Sequence, residues 1–310
     1  MKILMTGSSG FIGQALTERL KHYDIHHMRS DLRDHKAVAD EVLAVNPDQI
    51  VHLAARTEVE QSFYEQITFS EINYVGTVNL IEAASRIKRL KNFVFASTME
   101  VYGWQPISDE VEKDGIPEKF IAFDENTQPN PNAPYAVAKY GCEKYLEYAN
   151  RCLDLPFTAF RQTNCYGRKD NDYFVTEQII SQMLEGKECN LGYAEPYRNF
   201  IYVTDMLDAW ETVITNPDKC NSGLIFTIGP DNPIKIKDYA ELIAEKIGYT
   251  GPINWNTKLF RAGEIYWLNS NNKLIKEKLG WEPKVTLDEG LDRTIEYWRQ
   301  KLERYMATIS

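Results

Sequence analysis

The sequence predicts an α/β fold, a parallel sheet with helices on both faces, on three observations. Short apolar runs alternate with amphipathic stretches from Lys2 to Phe160, and a glycine loop, Gly7-x-x-Gly10-x-x-Gly13, separates the first run from the first amphipathic stretch. Apolar residues make up 43% of a 310-residue chain, enough to bury a core without staples. Each parallel strand pair needs a crossover, which the alternation supplies.

Lys2 to Thr6 reads as a strand, and Phe11, Ile12, Ala15, Leu16 and Leu20 then recur at helical spacing. Asp24 to Arg29 is a second strand; Val38, Val42, Leu43 and Val45 mark a helix ending near Asn46-Pro47. Gln49 to Leu53 is a third strand. A helix from about Phe69 to Leu90 precedes the apolar run Phe93 to Ala96. The stretch Asn126 to Pro134, with three prolines, is a loop entering a helix over Ala136 to Leu153, and Pro156 to Phe160 is a strand. From Gln162 the rhythm loosens, with loops at 167–173 and 190–199, a turn at 229–233 and a last helix from Leu287. The expected organisation is one body of residues 1–162 plus roughly 200–230, and a smaller, partly interleaved body of 163–199 and 231–310.

Composition narrows the classes of function. Lys and Arg total 35 against 45 Asp and Glu, a net charge of −10 that disfavours a general nucleic-acid surface. The longest run free of charged residues, Ile3 to Thr17, holds three glycines and falls short of the ~18–20 apolar residues of a membrane helix. Thr6 to Gly10 breaks up any secretory core after three apolar residues, so no signal peptide is expected. Five cysteines without a C-x-x-C pair fit a reducing, cytoplasmic setting, and adjacent His26 and His27 on a strand point to opposite faces, so no metal site is expected. His52, on an apolar strand, reads as a core histidine.

The glycine loop stands between strand and helix, where glycine lets backbone approach a pyrophosphate and the helix N-terminus offers N–H groups to it. The second strand ends at Met28-Arg29, where a ribose-binding carboxylate is common; arginine there suits a 2′-phosphate, which favours NADP over NAD. If Arg29 is only a solvated surface residue, Asp31 could serve the ribose. Tyr135 and Lys139 are four apart at a helix start, so both share a face and the ammonium could lower the phenol's pKa from ~10. Such a pair also arises by chance on exposed helices. Thr98 and Glu100 follow a strand at the edge where parallel sheets place ligands, though Thr98 could merely cap local backbone and Glu100 be a solvated carboxylate.

Taken together, Thr6-Gly7-Ser8-Ser9-Gly10-Phe11-Ile12-Gly13, Asp31-Leu32-Arg33-Asp34, His52-Leu53-Ala54-Ala55, Tyr135-Ala136-Val137-Ala138-Lys139, Asn164-Cys165-Tyr166-Gly167, Arg198 to Asp205 and Leu279-Gly280-Trp281-Glu282-Pro283 resemble the extended short-chain dehydrogenase/reductases, and within them the nucleotide-sugar epimerases and dehydratases. The resemblance spans nearly the whole chain and implies a doubly wound, Rossmann-type sheet. It implies that Gly7, Gly10, Phe11, Ile12 and Gly13 cradle the cofactor, that Asp31 and Leu32 flank the adenine, that Leu53, Ala54, Ala55 and Arg56 line the cofactor, and that Asn73 supports the site. The short passage from Arg29 to Asp31 is similar to fucose synthase-like members, again favouring NADP.

Ser97, Thr98, Glu100, Tyr102 and Gly103 match a sequence of the hexose 4,6-dehydratases and some decarboxylases, but Met99 stands where dehydratases commonly carry an acid. By the same resemblance Asn164, Arg198 and Arg261 hold the sugar nucleotide, although each arginine alone fits a surface ion pair. Stretches around Phe174 and Phe260 are similar to GDP-mannose dehydratases. The resemblance therefore implies a homodimeric NAD(P)-dependent dehydratase of nucleotide-diphosphate sugars. In it Tyr135 is the base at C4, Lys139 tunes it and fixes the nicotinamide ribose, Thr98 orients the hydroxyl and Glu100 removes the C5 proton before water leaves and hydride returns. An epimerase is the nearest alternative, then a decarboxylase or 4-keto reductase, with a non-catalytic cofactor-binding regulator of another class.

Overall fold

The computed structural model describes residues 1–108, 121–169, 171–257 and 263–309. Strands β1 (Lys2–Thr6), β2 (Asp24–His27), β3 (Gln49–His52), β4 (Asn92–Thr98) and β5 (Phe157–Gln162) carry the alternation read from the sequence. The later part of the chain holds β6 (Asn164–Tyr166), β7 (Cys189–Asn190), β8 (Tyr197–Arg198), β9 (Phe200–Tyr202), β10 (Ser222–Ile228), β11 (Ile234–Lys235) and β12 (Ile253–Asn254). Six strands form one sheet in the order β10-β5-β4-β3-β1-β2, with every neighbouring pair parallel. The chain thus leaves β1 towards one edge and afterwards builds towards the other, so the winding reverses between β1 and β3. In such sheets ligands enter at the carboxyl ends beside that reversal.

The sheet is apolar on both faces because both are covered. Ile3, Met5, Val94, Ala96 and Phe160 face one core with Leu16, Trp210 and Val213. Their strand neighbours Leu4, Phe93, Phe95, Phe157 and Ala159 face the other with Val42, Leu80 and Leu146. That strict alternation is the period of two of a pleated strand. Each buried Leu or Phe contributes roughly 1.5–3 kcal/mol. A third core, including Ile179, Tyr239, Ile243 and Trp298, gathers under the helices Val175–Leu184, Ile236–Ile247 and Leu287–Ile309.

The loop expected at 190–199 holds the short strand β8, and two further elements differ from their sequence reading. The second strand stops at His27, because the backbone N–H groups of Arg29 and Ser30 donate to the Glu41 carboxylate at 3.0 and 2.8 Å. Glu41 belongs to the helix His35–Val45, which starts on the Asp34 cap (Ala37 N–H, 3.0 Å) and ends on left-handed Asn46 before Pro47. The single helix expected over Phe69 to Leu90 is instead a turn at Gln66–Phe69, a π-helical segment Ser70–Val75 and an α-helix Gly76–Ala84. In the π segment the Asn73 carbonyl accepts from Thr77 Oγ1 at 2.6 Å and from Cys142 Sγ at 3.2 Å, so side chains take up backbone bonding that a regular helix would satisfy internally.

Candidate active site

Gly7 follows β1 and takes φ +69°, a conformation that suits glycine, and a Cβ there would lie 2.6 Å from the Ala54 nitrogen behind β3. A Cβ on Gly13 would collide with the Gly7 carbonyl and come within 2.7 Å of Ser8 Cα. Between them Gly10 caps the helix Phe11–Arg19, whose first N–H groups have no side-chain cap. The result is a backbone cradle at a helix N-terminus, open to an anion, which fits the pyrophosphate of a dinucleotide.

A cleft of about 710 Å³ runs from this cradle across the carboxyl ends of the sheet. Its walls include Gly7, Gly10, Phe11, Ile12, Gly13, Leu53, Ala54 and Ala55 on the glycine-loop side, Thr98, Glu100, Tyr135 and Lys139 in the middle, and Asn164 and Arg198 beyond. Sequence separations of more than 100 residues are thereby closed into one site.

The other expected residues do not line it. Arg29 is exposed, and Asp31 is exposed and bound to Arg33 at 2.6 Å, an ion pair that holds its carboxyl down at about 2. Leu32 packs in the core. Arg56 pairs with Glu65 at 2.5 Å and lies over the Phe69 ring. Asn73, buried, accepts from the Arg56 N–H and donates to the Arg56 carbonyl, both at 2.8 Å, and so fixes the backbone just past Ala55. Arg261 lies outside the described residues.

Tyr135 and Lys139 sit on the helix Pro134–Leu153, with Pro134 at its first turn. Lys139 Nζ donates to the Ala96 carbonyl at 2.7 Å and stands over the Phe95 ring. Burial pulls its pKa down to about 8. The Tyr135 phenol is held above its ordinary range, the reverse of the lowering expected from a lysine at i+4. Burial is the larger cause and the Glu100 charge the next, against a hydrogen bond with Thr98 that acts the other way.

Thr98 has two roles. Its Oγ1 accepts from the Glu100 N–H at 3.1 Å, capping the short 3₁₀ turn Met99–Tyr102, and its side chain meets Tyr135. The local cap considered from the sequence is real, and it also aims the hydroxyl into the cleft. Met99 points away, into an apolar cluster with Tyr102, Phe123 and Trp267.

Arg198 is buried and donates to Glu264 at 3.0 Å and to the Tyr197 carbonyl at 2.9 Å. The sequence reading gave Glu264 no role, although it lies three residues after the expected Arg261. It also missed the buried group beneath Thr98, in which Ser97 donates to Glu143, Arg161 pairs with Glu143 at 2.8 Å, and Arg161 donates to the Tyr102 hydroxyl at 3.3 Å. Glu143 lies four residues after Lys139 on the same helix, the one signal that could have flagged it. His52, between Thr6 Oγ1 at 2.7 Å and Thr77 Oγ1 at 2.8 Å, is a hydrogen-bonded core histidine whose burial pushes it down to about 3. Among the described residues no helix is long and apolar enough to cross a membrane, and no group of His, Cys, Asp or Glu is arranged to hold a metal.

Comparison with known proteins matches residues 3–229 to the model of the NAD dependent epimerase/dehydratase family. The dTDP-glucose 4,6-dehydratase 1 of Escherichia coli strain K12 is 28% identical, with 96% of this chain and 92% of that protein covered. The UDP-glucose 4-epimerase of Thermotoga maritima, solved with UDP-glucose, superposes with a TM-score of 0.85 at 28% identity, covering 97% of this chain and all of that one. A dTDP-glucose 4,6-dehydratase from Streptomyces venezuelae, solved with NAD, has the same fold: TM-score 0.85, 22% identity, 98% of both chains.

Proposed function

The chain belongs to the NAD-dependent epimerase/dehydratase family, and from that premise we propose that it is a nicotinamide-dependent nucleotide-sugar dehydratase working through a transient 4-keto sugar. The observation that carries the choice is Glu100, a carboxylate on the same cleft wall as Thr98 and Tyr135 and close enough for its charge to act on the phenol. When bound, the nicotinamide would supply a hydride acceptor for C4 of the sugar and, once water has left, a hydride donor for C6, with the C5 proton restored from solvent. Gly7, Gly10 and Gly13 leave room for its pyrophosphate, and Lys139, fixed by the Ala96 carbonyl, would hold the nicotinamide ribose and supply positive charge to the loaded site. Tyr135 takes the C4 hydroxyl proton while Thr98 orients that hydroxyl. Glu100 then removes the C5 proton, made acidic by the neighbouring ketone, and returns a proton to the departing C6 oxygen. The smaller body, residues 163–199 and 231–310, contributes Asn164 and Arg198 to the sugar nucleotide.

The second reading, a 4-epimerase, is favoured by Met99, a buried thioether where dehydratases commonly carry an acid. Incubation with UDP-, dTDP-, CDP- and GDP-sugars followed by mass spectrometry separates the two. Loss of water supports the dehydratase, whereas unchanged mass with inverted C4 supports the epimerase and overturns the proposal.

Arg29 argues for NADP over NAD. Glu41, the carboxylate nearest the end of β2, is engaged by Ser30 Oγ at 2.6 Å and by His26 at 2.8 Å, while the Arg29 side chain is exposed for a 2′-phosphate. Calorimetry on cofactor-stripped protein is expected to give tighter NADP than NAD binding, and Arg29→Ala should remove the difference. Equal affinities in the wild type would overturn the assignment.

Arg198, once sugar diphosphate enters, exchanges part of its Glu264 bonding for phosphate oxygens. Arg198→Ala is expected to weaken nucleoside diphosphate binding about tenfold without changing dinucleotide affinity, as read by calorimetry. We also place a second copy of the chain against the exposed apolar residues Ile67, Val75, Val137 and Tyr148, on helices, and Tyr64, in the turn before Gln66–Phe69. Light scattering should return about twice the 35.8 kDa of one chain.

A further inference from the structure

Among the described residues three cations line the cleft: Lys139, Arg168 and Arg198. Lys139 donates to the Ala96 carbonyl beneath the reaction centre, and Arg198 to Glu264 at the sugar end, so each is placed for a different part of the cleft. Arg168 stands elsewhere. It follows β6 and packs between two rings, its guanidinium carbon 3.8 Å from the centre of Phe174 and 4.8 Å from that of Phe11. Phe11 is the first residue of the helix that the glycine loop leads into, so this arginine from the later part of the chain reaches the wall facing the anion cradle.

The rest of its surroundings hold the guanidinium in place without using up its fork. Glu177, fully buried, accepts from the Gly167 and Arg168 N–H groups at 3.0 and 2.8 Å, which fixes the loop. Its other oxygen has no hydrogen-bond partner among the described residues and lies 3.7 Å from Arg168 Nη1, beyond hydrogen-bond range. Arg168 Nη1 donates to the Cys165 carbonyl. A guanidinium carries five N–H donors in a plane, and stacking between two rings leaves its edge for ligands in that plane. The side chain keeps 14% of its surface exposed, on the cleft.

We infer that Arg168 is a ligand of the dinucleotide's pyrophosphate, gripping it from the side opposite the glycine loop so that the cofactor bridges the two parts of the chain. The chemistry is a guanidinium on phosphate oxygens, which adds to the backbone cradle a local positive charge in a protein whose net charge is −10. The inference rests on the dinucleotide reading above.

The test uses calorimetry on cofactor-stripped protein with NADP⁺, NAD⁺ and ADP-ribose, and with UDP titrated into cofactor-saturated protein. Arg168→Met keeps the apolar stem between the rings and removes every donor. It is expected to weaken all three pyrophosphate ligands about ten- to a hundredfold, the span of a charge-assisted hydrogen bond, and to flatten the salt dependence of their binding. UDP affinity should be unchanged. Arg168→Lys, which retains charge but not the fork, should fall between, and it keeps the test usable if the methionine variant misfolds.

Wild-type affinity for ADP-ribose in Arg168→Met, or a loss confined to UDP, would overturn the inference. So would recovery of binding in the Arg168→Met, Glu177→Gln double variant, since the arginine would then only neutralise a buried carboxylate. Wild-type protein that binds none of the dinucleotides would instead overturn the cofactor reading itself.

Discussion

Tyr135→Phe is expected to lower turnover by about 10²–10⁴-fold while leaving cofactor and sugar-nucleotide affinity within about twofold, because it removes one ionisable oxygen and no cleft wall. The phenol's proton is firmly held in this structure, by burial and by the negative charge of Glu100. A base so placed works only if something offsets those two effects when the site is loaded, and Lys139 is the cationic residue beside it on the helix. With its pKa brought down to about 8, Lys139 loses its charge as pH rises through that value. Steps that need the ammonium should therefore weaken above about pH 8, and Lys139→Met should remove that alkaline limb. Turnover of Tyr135→Phe within threefold of wild type, measured with the sugar that gives product, would show that another group takes the proton.

Much of this site was legible in the sequence because backbone demands leave local marks. Gly7 and Gly13 are required by contacts a single Cβ would break, and the strand ends that carry Leu53 to Ala55 and Thr98 are announced by apolar runs of known period. The turn after β2 was misread for the opposite reason. What ends that strand is Glu41, twelve residues after Arg29, and no local pattern tells a helix carboxylate facing a loop from one facing water.

The same holds for the electrostatics. A lysine four residues from a tyrosine predicts a lowered phenol, but the sign in the folded chain is set by desolvation and by Glu100, which arrive through the packing of β4 against the helix. Likewise Arg198 reads from its motif as a phosphate ligand, and only the fold reveals that Glu264 occupies it. The π-helical segment was hidden too, since one of the side chains bonded to its Asn73 carbonyl is Cys142, 69 residues further along the chain.

Glu100→Gln separates the two readings of the chemistry, because the two roles proposed for the residue have different consequences. As the base of a dehydratase it would be indispensable to water loss, since with Met99 buried in the cluster of Tyr102 and Trp267 it would have no acidic neighbour at 99 to share the task. In a dehydratase, Glu100→Gln should therefore cut water elimination by about 10²–10⁴-fold. In deuterium oxide the wild type should place deuterium at C5 of a product lighter by one water, and the variant should do neither at a comparable rate. As a charge, Glu100 favours the protonated form of Tyr135, so its removal must lower the pKa of that phenol and make the base available at lower pH. An epimerase, which has no C5 proton to remove, should consequently survive the substitution, with the rising limb of its pH–rate profile displaced towards acid. Retained turnover, no deuterium at C5 and that acid displacement would together establish the epimerase and leave Glu100 as a residue that sets the proton affinity of Tyr135.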